Sequence, residues 1–299
     1  MKKTTYILIA LVIAGALAVI GTTIFITSGG TPMKSVTIGP DMTTRPLASF
    51  SAIRINVNPE YAHRHIISFD SNLTCDIVGS KSATSPSVTM SPDWEKYLTF
   101  TLDNDTLTIN FDFHGAERYN VNDENDNTIY YTYFDPQPIN VTVPSGMLKS
   151  LRLNRIVDTT ISGIDSESLE LDNYRIALDN CDIDSVKVIP SSGTNNSGNY
   201  DDSVYVETYC EPGLTSSDII LKKCRIGTLD LALYPQTIDI YGSEGSRIDL
   251  LRWTDTSTEN SQIAFLDNHS AEIGKIEWIS PAGNRFRFAS NGSMTITPF

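Results

Sequence analysis

From residue 50 onward, apolar and polar side chains alternate along the chain. Ile53, Ile55 and Val57 alternate with Arg54 and Asn56, and the two-residue period returns in IISF at 66, CDIV at 75, SVTM at 87, YLTFTL at 97 and TLTINF at 106. Successive side chains of a strand point to opposite faces, so this period predicts half-buried strands. After residue 27 no stretch of helical length carries a 3.6-residue apolar period. The predicted class of this part of the chain is therefore all-β.

A longer repeat runs through the second half. NCDIDSVKV at 180 returns as KCRIGTLDL at 223, GSRIDLLRW at 245 and SAEIGKIEW at 270. Widened to thirteen residues, VTVPSGMLKSLRL at 141, IALDNCDIDSVKV at 176 and IILKKCRIGTLDL at 219 align without gaps, with apolar residues at positions 1, 3, 8, 11 and 13. Position 6 is Gly146, Cys181 or Cys224, which predicts two strands joined by a tight corner at a small residue. Later copies place Ser246 and Ala271 at that corner, with three residues added before it. A larger side chain there is expected to overpack, at roughly 1–3 kcal/mol.

The spacing is that of a stack. Ile226 to Ile248 is 22 residues, Ile248 to Ile273 is 25, and Ile183 to Ile226 is 43, near twice the others. Each turn is too short to bury its apolar side alone and needs a neighbour. A single-stranded β-solenoid meets that need; a β-sandwich, the rival, gives no reason for repeated corners. The double-length gap predicts an intervening turn through VYVETY at 204–209. Cys181 and Cys224 would then share a column two layers apart, about 10 Å, and remain unbonded.

The N-terminus departs from this pattern. Lys2 and Lys3 precede an uncharged run at residues 6–26, YILIALVIAGALAVIGTTIFI. As a helix it would be roughly 32 Å long, enough for a bilayer core of about 30 Å. It is longer than the apolar core of a cleaved signal peptide, so an uncleaved, single-pass anchor is expected, with the lysines cytoplasmic and the rest extracytoplasmic, in the periplasm or at the cell surface. The expected organisation is an anchor at 1–27, a Gly/Pro/Thr/Ser-rich linker at 28–48, an N-terminal β portion at 49–140 and stacked repeats at 141–299.

Composition narrows the function classes. A net charge of −14 disfavours nucleic acid as a partner. Four Cys in 299 residues make no disulfide scaffold, and without a C-x-x-C pair zinc-finger and thioredoxin-like readings lack their ligands. No G-x-S-x-G, H-E-x-x-H or P-loop occurs. Neither a catalytic activity nor a cofactor is expected.

FSAIRINV at 50, DTLTINF at 105 and INVTVPSGMLKSLRL at 139 resemble the auto-transporter adhesin head (GIN) domain family of Bacteroidetes cell-envelope proteins. The resemblance covers residues 49–299 and implies a right-handed β-helix or β-roll and an envelope location. It carries no catalytic motif. The chain departs from the family pattern in having few corner glycines and an apparent insertion at 114–135.

Candidate chemistry is sparse. Tyr130, Tyr131, Tyr133 and Phe134 are the densest aromatic patch and a candidate binding surface for an envelope protein or glycan, although a strand would turn half of them inward. Asp123, Asn125 and Asn127 have alternating oxygen ligands but lack the EF-hand Gly and Glu, with Thr128 and Phe134 in their places. His63 and His65 would share a strand face, while His114 and His269 are remote, with no acidic cluster expected alongside. Most of Asp172, Asp179, Asp182, Asp184, Asp230, Asp239 and Asp249 fall between apolar residues, hence outward and scattered, against a polysaccharide-active β-helix enzyme. Asn-x-Ser/Thr triplets, including the one at Asn268, read as composition. The expected role is a non-catalytic, membrane-anchored envelope scaffold or adhesion-like binding module. A polysaccharide-active enzyme and an envelope sensor or signalling partner are the alternatives.

Overall fold

The computed structural model describes residues 35–57, 65–113, 115–116, 119–122, 128–153, 157–172, 176–189, 205–207 and 218–290. In chain order the strands begin with β1 (Ser35–Thr37), β2 (Thr43–Pro46), β3 (Ala52–Val57), β4 (His65–Phe69), β5 (Cys75–Ser80), β6 (Ser87–Met90), β7 (Leu98–Asp103) and β8 (Thr106–Phe111). There follow β9 (Tyr119–Asn122), β10 (Thr128–Asp135), β11 (Ile139–Pro144), β12 (Ser150–Arg152), β13 (Thr160–Ser162), β14 (Asp165–Asp172), β15 (Ile176–Asp179) and β16 (Asp182–Ile189). The last are β17 (Tyr205–Glu207), β18 (Asp218–Lys222), β19 (Arg225–Leu233), β20 (Thr237–Ser243), β21 (Arg247–Asp255), β22 (Ile263–His269), β23 (Glu272–Ile279) and β24 (Arg285–Ser290). One 3-10 turn, Pro92–Lys96, interrupts them. The described residues are all-β, with parallel and mixed sheets. Among the described residues no helix is long and apolar enough to cross a membrane, and residues 6–26 lie outside them.

Two large sheets carry the repeats. One has ten strands in the order β2-β6-β11-β5-β13-β15-β18-β20-β22-β24; the other has nine, β23-β21-β19-β16-β14-β12-β3-β8-β7. Apart from β17, every strand from β13 onward alternates between the two, and each pairs in parallel with its counterpart one layer away. Ile183, Ile226, Ile248 and Ile273 stand in register, all at 0% exposure. Burying one such side chain contributes about 1.5–3 kcal/mol, so each layer is held largely by its neighbours.

The register explains why the nine-residue motif spaces its apolar residues three and then two apart. Ile183 pairs with Ile226, and the next pair is Ser185 with Thr228. Asp184, Gly227, Asp249 and Gly274 are thus left out of the ladder in successive layers, a shared bulge that adds one residue to a two-residue period.

The corners follow a second rule. Asp182 N–H donates to Ile164 O, Arg225 to Cys181, Arg247 to Cys224 and Glu272 to Ser246, so Ile164, Cys181, Cys224, Ser246 and Ala271 form one column. The residue before each is left-handed: Gly163 (φ 64°), Asn180 (52°), Lys223 (53°), Gly245 (80°) and Ser270 (75°). The backbone therefore turns here with few glycines. Crowding is real: a Cβ on Gly242 would lie 2.4 Å from the Ala271 Cα.

Several expectations are corrected. Cys181 and Cys224 lie in adjacent layers, because β16 pairs directly with β19. VYVETY adds no layer: its β17 joins β4 in a separate five-stranded sheet with β1, β9 and β10. The 141 unit is displaced by two, since Val141 aligns through Ile77 and Ile161 with Leu178, and Leu151 through Leu171 with Val188. Gly146 is therefore not a member of the corner column. The later units carry their extra residues mainly at the start of the first strand, with one more at the β20–β21 corner, for Ile240 pairs with Ile219 and Asn268 with Ile240. Within 28–48, β1 and β2 join sheets and Ile38 is buried. The sheets also run across residue 140, where β3 pairs β12 and β12 pairs β14.

Candidate functional site

The outward faces of the two large sheets place side chains at strand spacing, about 4.8 Å between layers. On the nine-stranded sheet one row reads Glu170, Lys187, Asp230, Arg252, Glu277, alternating in sign at every step. Lys187 Nζ lies 3.7 Å from Glu170 Oε2, and Arg252 lies 3.9 Å from Asp230 and 3.1 Å from Glu277. Lys275 also reaches Glu277, at 2.7 Å. Hydrogen bonds from Lys275 and then Arg252 hold the Glu277 carboxyl below its ordinary range.

The ten-stranded sheet does the opposite. Asp218 pairs in register with Asp239, and Asp239 with Asp267, placing three carboxylates in one row. Like charges directly opposite are unfavourable. The next row carries Ile220, Tyr241 and His269. His269 Nε2 lies 3.2 Å from Asp239 Oδ1 and 3.7 Å from Asp267 Oδ2, and its ring stacks on Tyr241 with centroids 4.5 Å apart and an 8° interplanar angle. Partial burial, then the charges of Asp239, Asp218 and Asp267, raise the Tyr241 hydroxyl. Asp218 is buried, whereas the side chains of Asp239, Asp267 and His269 are 17%, 28% and 31% exposed. The sequence pattern does not single out this His–Asp–Asp group, since it weighs His269 only as remote in sequence from His63 and His65. Strand register supplies Asp239, 30 residues away, while Asp267 stands two places before His269 on the same strand.

The aromatic patch fares differently. Phe134 is buried at 0% exposure and packs against Phe113 at 4.9 Å, Tyr97 at 5.2 Å and Phe69 at 5.8 Å, so it is a core residue and not part of a binding surface. The two-residue period turns Thr132 and Phe134 inward and leaves Tyr133 half-buried. The Tyr130 and Tyr131 side chains lie outside the described residues, as do those of His63, His65, His114, Asp123, Asn125, Asn127 and Asp172.

The other carboxylates are spread over both sheets. Asp179 meets Lys222 at 3.5 Å and Asp249 meets Arg247. Asp182 and Asp184 are exposed on β16.

Cys181 and Cys224 are free thiols, as is Cys75. Their Sγ atoms donate to Ile161 O at 3.5 Å and Leu178 O at 3.2 Å. A hydrogen bond to Cys224, then burial, raises the Cys181 thiol, while burial pushes Cys75 up to about 12. Asn268, which opens an Asn-x-Ser triplet, is 0% exposed; it stands in the Ile176–Ile219–Ile240 row and bonds both ways to the Ala271 backbone, at 2.9 and 3.2 Å.

No family model matches the chain, and neither does any curated protein. Solved structures similar to it include a "putative lipid binding protein" from Parabacteroides distasonis, at 14% identity and TM-score 0.40, covering 89% of this chain and 100% of the other. A "putative adhesin" from Bacteroides fragilis is 8% identical at TM-score 0.36, covering 87% and 99%. Another "putative adhesin", from P. distasonis, is 11% identical at TM-score 0.36, with the same coverage. Likeness at these scores decides nothing about function.

Proposed function

We propose that this chain is a non-catalytic binding module of the cell envelope: a β-solenoid, right-handed as the family resemblance implies, anchored to the inner membrane through residues 6–26 and displayed outside the cytoplasm. The observation that carries the reading is the pair of outward faces built from in-register parallel layers. Such faces hold side chains at constant spacing over many layers, which suits recognition of an extended partner, an envelope protein or a glycan, more than enclosure of a small substrate. Outside the Asp218–Asp239–Asp267 row the carboxylates are dispersed over both sheets, which supports binding over glycoside chemistry, a reaction that needs two carboxyl groups about 5–9.5 Å apart across one bond. The uncharged run after Lys2 and Lys3 supports the anchor and its orientation.

The test is topological and then biochemical. Protease added to spheroplasts is expected to digest the bulk of the chain while a cytoplasmic control survives. Protection of residues 36–299 overturns the orientation, and a freely soluble mature protein lacking residues 1–18 overturns the anchor. Turnover of a polysaccharide abolished by one Asp→Asn change overturns the non-catalytic reading.

A further inference from the structure

The geometry points to a divalent transition-metal site on the ten-stranded sheet, formed by His269 Nε2, Asp239 Oδ1 and Asp267 Oδ2 and best suited to Zn2+. These three atoms lie within 4.8 Å of one another. Ligands about 2.0–2.1 Å from a tetrahedral zinc stand about 3.3 Å apart. The observed separations from the imidazole, 3.2 and 3.7 Å, bracket that edge. The site therefore needs only small side-chain shifts to close on an ion.

Charge and rigidity point the same way. Two carboxylates and a neutral imidazole balance a dication. Asp218, buried beside Asp239 in the same row, adds a third negative charge to the field. Tyr241 stacked on the imidazole fixes the ring plane, as supporting groups around ligating histidines do. The ligand side chains keep 17–31% exposure, so a fourth position faces solvent and is open to water or to a group from a partner. Calcium takes oxygen ligands, whereas imidazole suits zinc and its neighbours, so the histidine sets the metal class.

The test is equilibrium titration of the full chain, stripped with a chelator, with ZnCl2 in competition with a fluorescent zinc indicator. One zinc per chain is expected, with His269→Gln and Asp239→Asn each weakening it by about tenfold or more. Asp249→Asn on the opposite sheet and the Cys181→Ser/Cys224→Ser double variant are expected to bind as the wild type does. Zinc-edge X-ray absorption of the wild-type protein, independent of any variant's folding, should show nitrogen and oxygen scatterers with an imidazole pattern. The site is refuted by the absence of saturable zinc binding, by sulfur in the zinc shell, or by loss of binding in the cysteine variant. Calcium bound as tightly as zinc and indifferent to His269→Gln refutes it equally.

Discussion

The two outer faces of the stack use the same backbone spacing for opposite electrostatics. On the nine-stranded sheet each charge meets its opposite one layer away, from Glu170 to Glu277. On the ten-stranded sheet three aspartates stand in line, and the side chain beside them is the His269 imidazole. In a parallel stack the choice of residue at one position is made again in every layer, so alternation binds the layers together and repetition builds a field. The first arrangement serves the fold; the second costs stability and is the better candidate for a role beyond it.

The shared interior sets the scale for breaking this comparison. Trp253 is 0% exposed and packs edge-on against Trp278 at 5.4 Å. Trp253→Ala is expected to cost about 3–5 kcal/mol in a denaturant titration, whichever face is probed. Arg252→Glu is expected to cost about 1–2 kcal/mol, since it removes two ion pairs and sets three acids in a row. Added salt should recover part of that loss. A variant as stable as the wild type would show that the alternating row contributes nothing.

Acid should act in the same direction on the wild-type protein. The Glu277 carboxyl is depressed in the folded state, so its contribution is present above the unfolded pKa, about 4.3, and disappears as pH falls through the lower folded value. Asp255 behaves alike: burial raises its carboxyl, but donors from Ser257, Ser280 and Asn284 outweigh it and leave it lowered. Thermal melts from pH 7 to about 3 should show stability falling below about 4, less steeply in Arg252→Glu. The smallest effect has the opposite sign. With a chelator present, Asp267→Asn should leave stability unchanged or raise it by about 0.2–1 kcal/mol, because it removes a like charge from the row. A clear loss would mean that this face is held by its acids.

How much of this was legible follows from where each signal resides. The strand period and the gapless match of 176–188 to 219–231 were readable, because inward Ile, Leu and Val must recur where layers touch. The bulge was present in the spacing but unexplained, since only pairing shows Asp184 and Gly227 to be skipped. The corner rule was hidden because Lys223 and Ser270 adopt a left-handed backbone without the usual glycine. Asn268 occupies an isoleucine row, so apolar matching slid the last unit toward Ile263. The 43-residue gap misled because length alone does not distinguish another layer from an excursion to a different sheet. Asp267 and His269, two apart on β22, share a face by sequence alone, but register brings in Asp239, and apolar periodicity contains nothing about outward neighbours in other layers.

The corners themselves are unequal in length. Between β15 and β16, β18 and β19, and β22 and β23, two residues make the turn, and three do so between β20 and β21. At the other end of the layers the links run over residues 234–236, 256–262 and 280–284. For protein engineering, this divides the molecule into a seam and a margin. A foreign peptide spliced into the exposed stretch 258–261 extends a loop whose length already varies between layers and leaves the Asp255–Ser257–Asn284 network intact, whereas one placed at 270–271 would pull the left-handed turn out of its column and unzip the layers beside it.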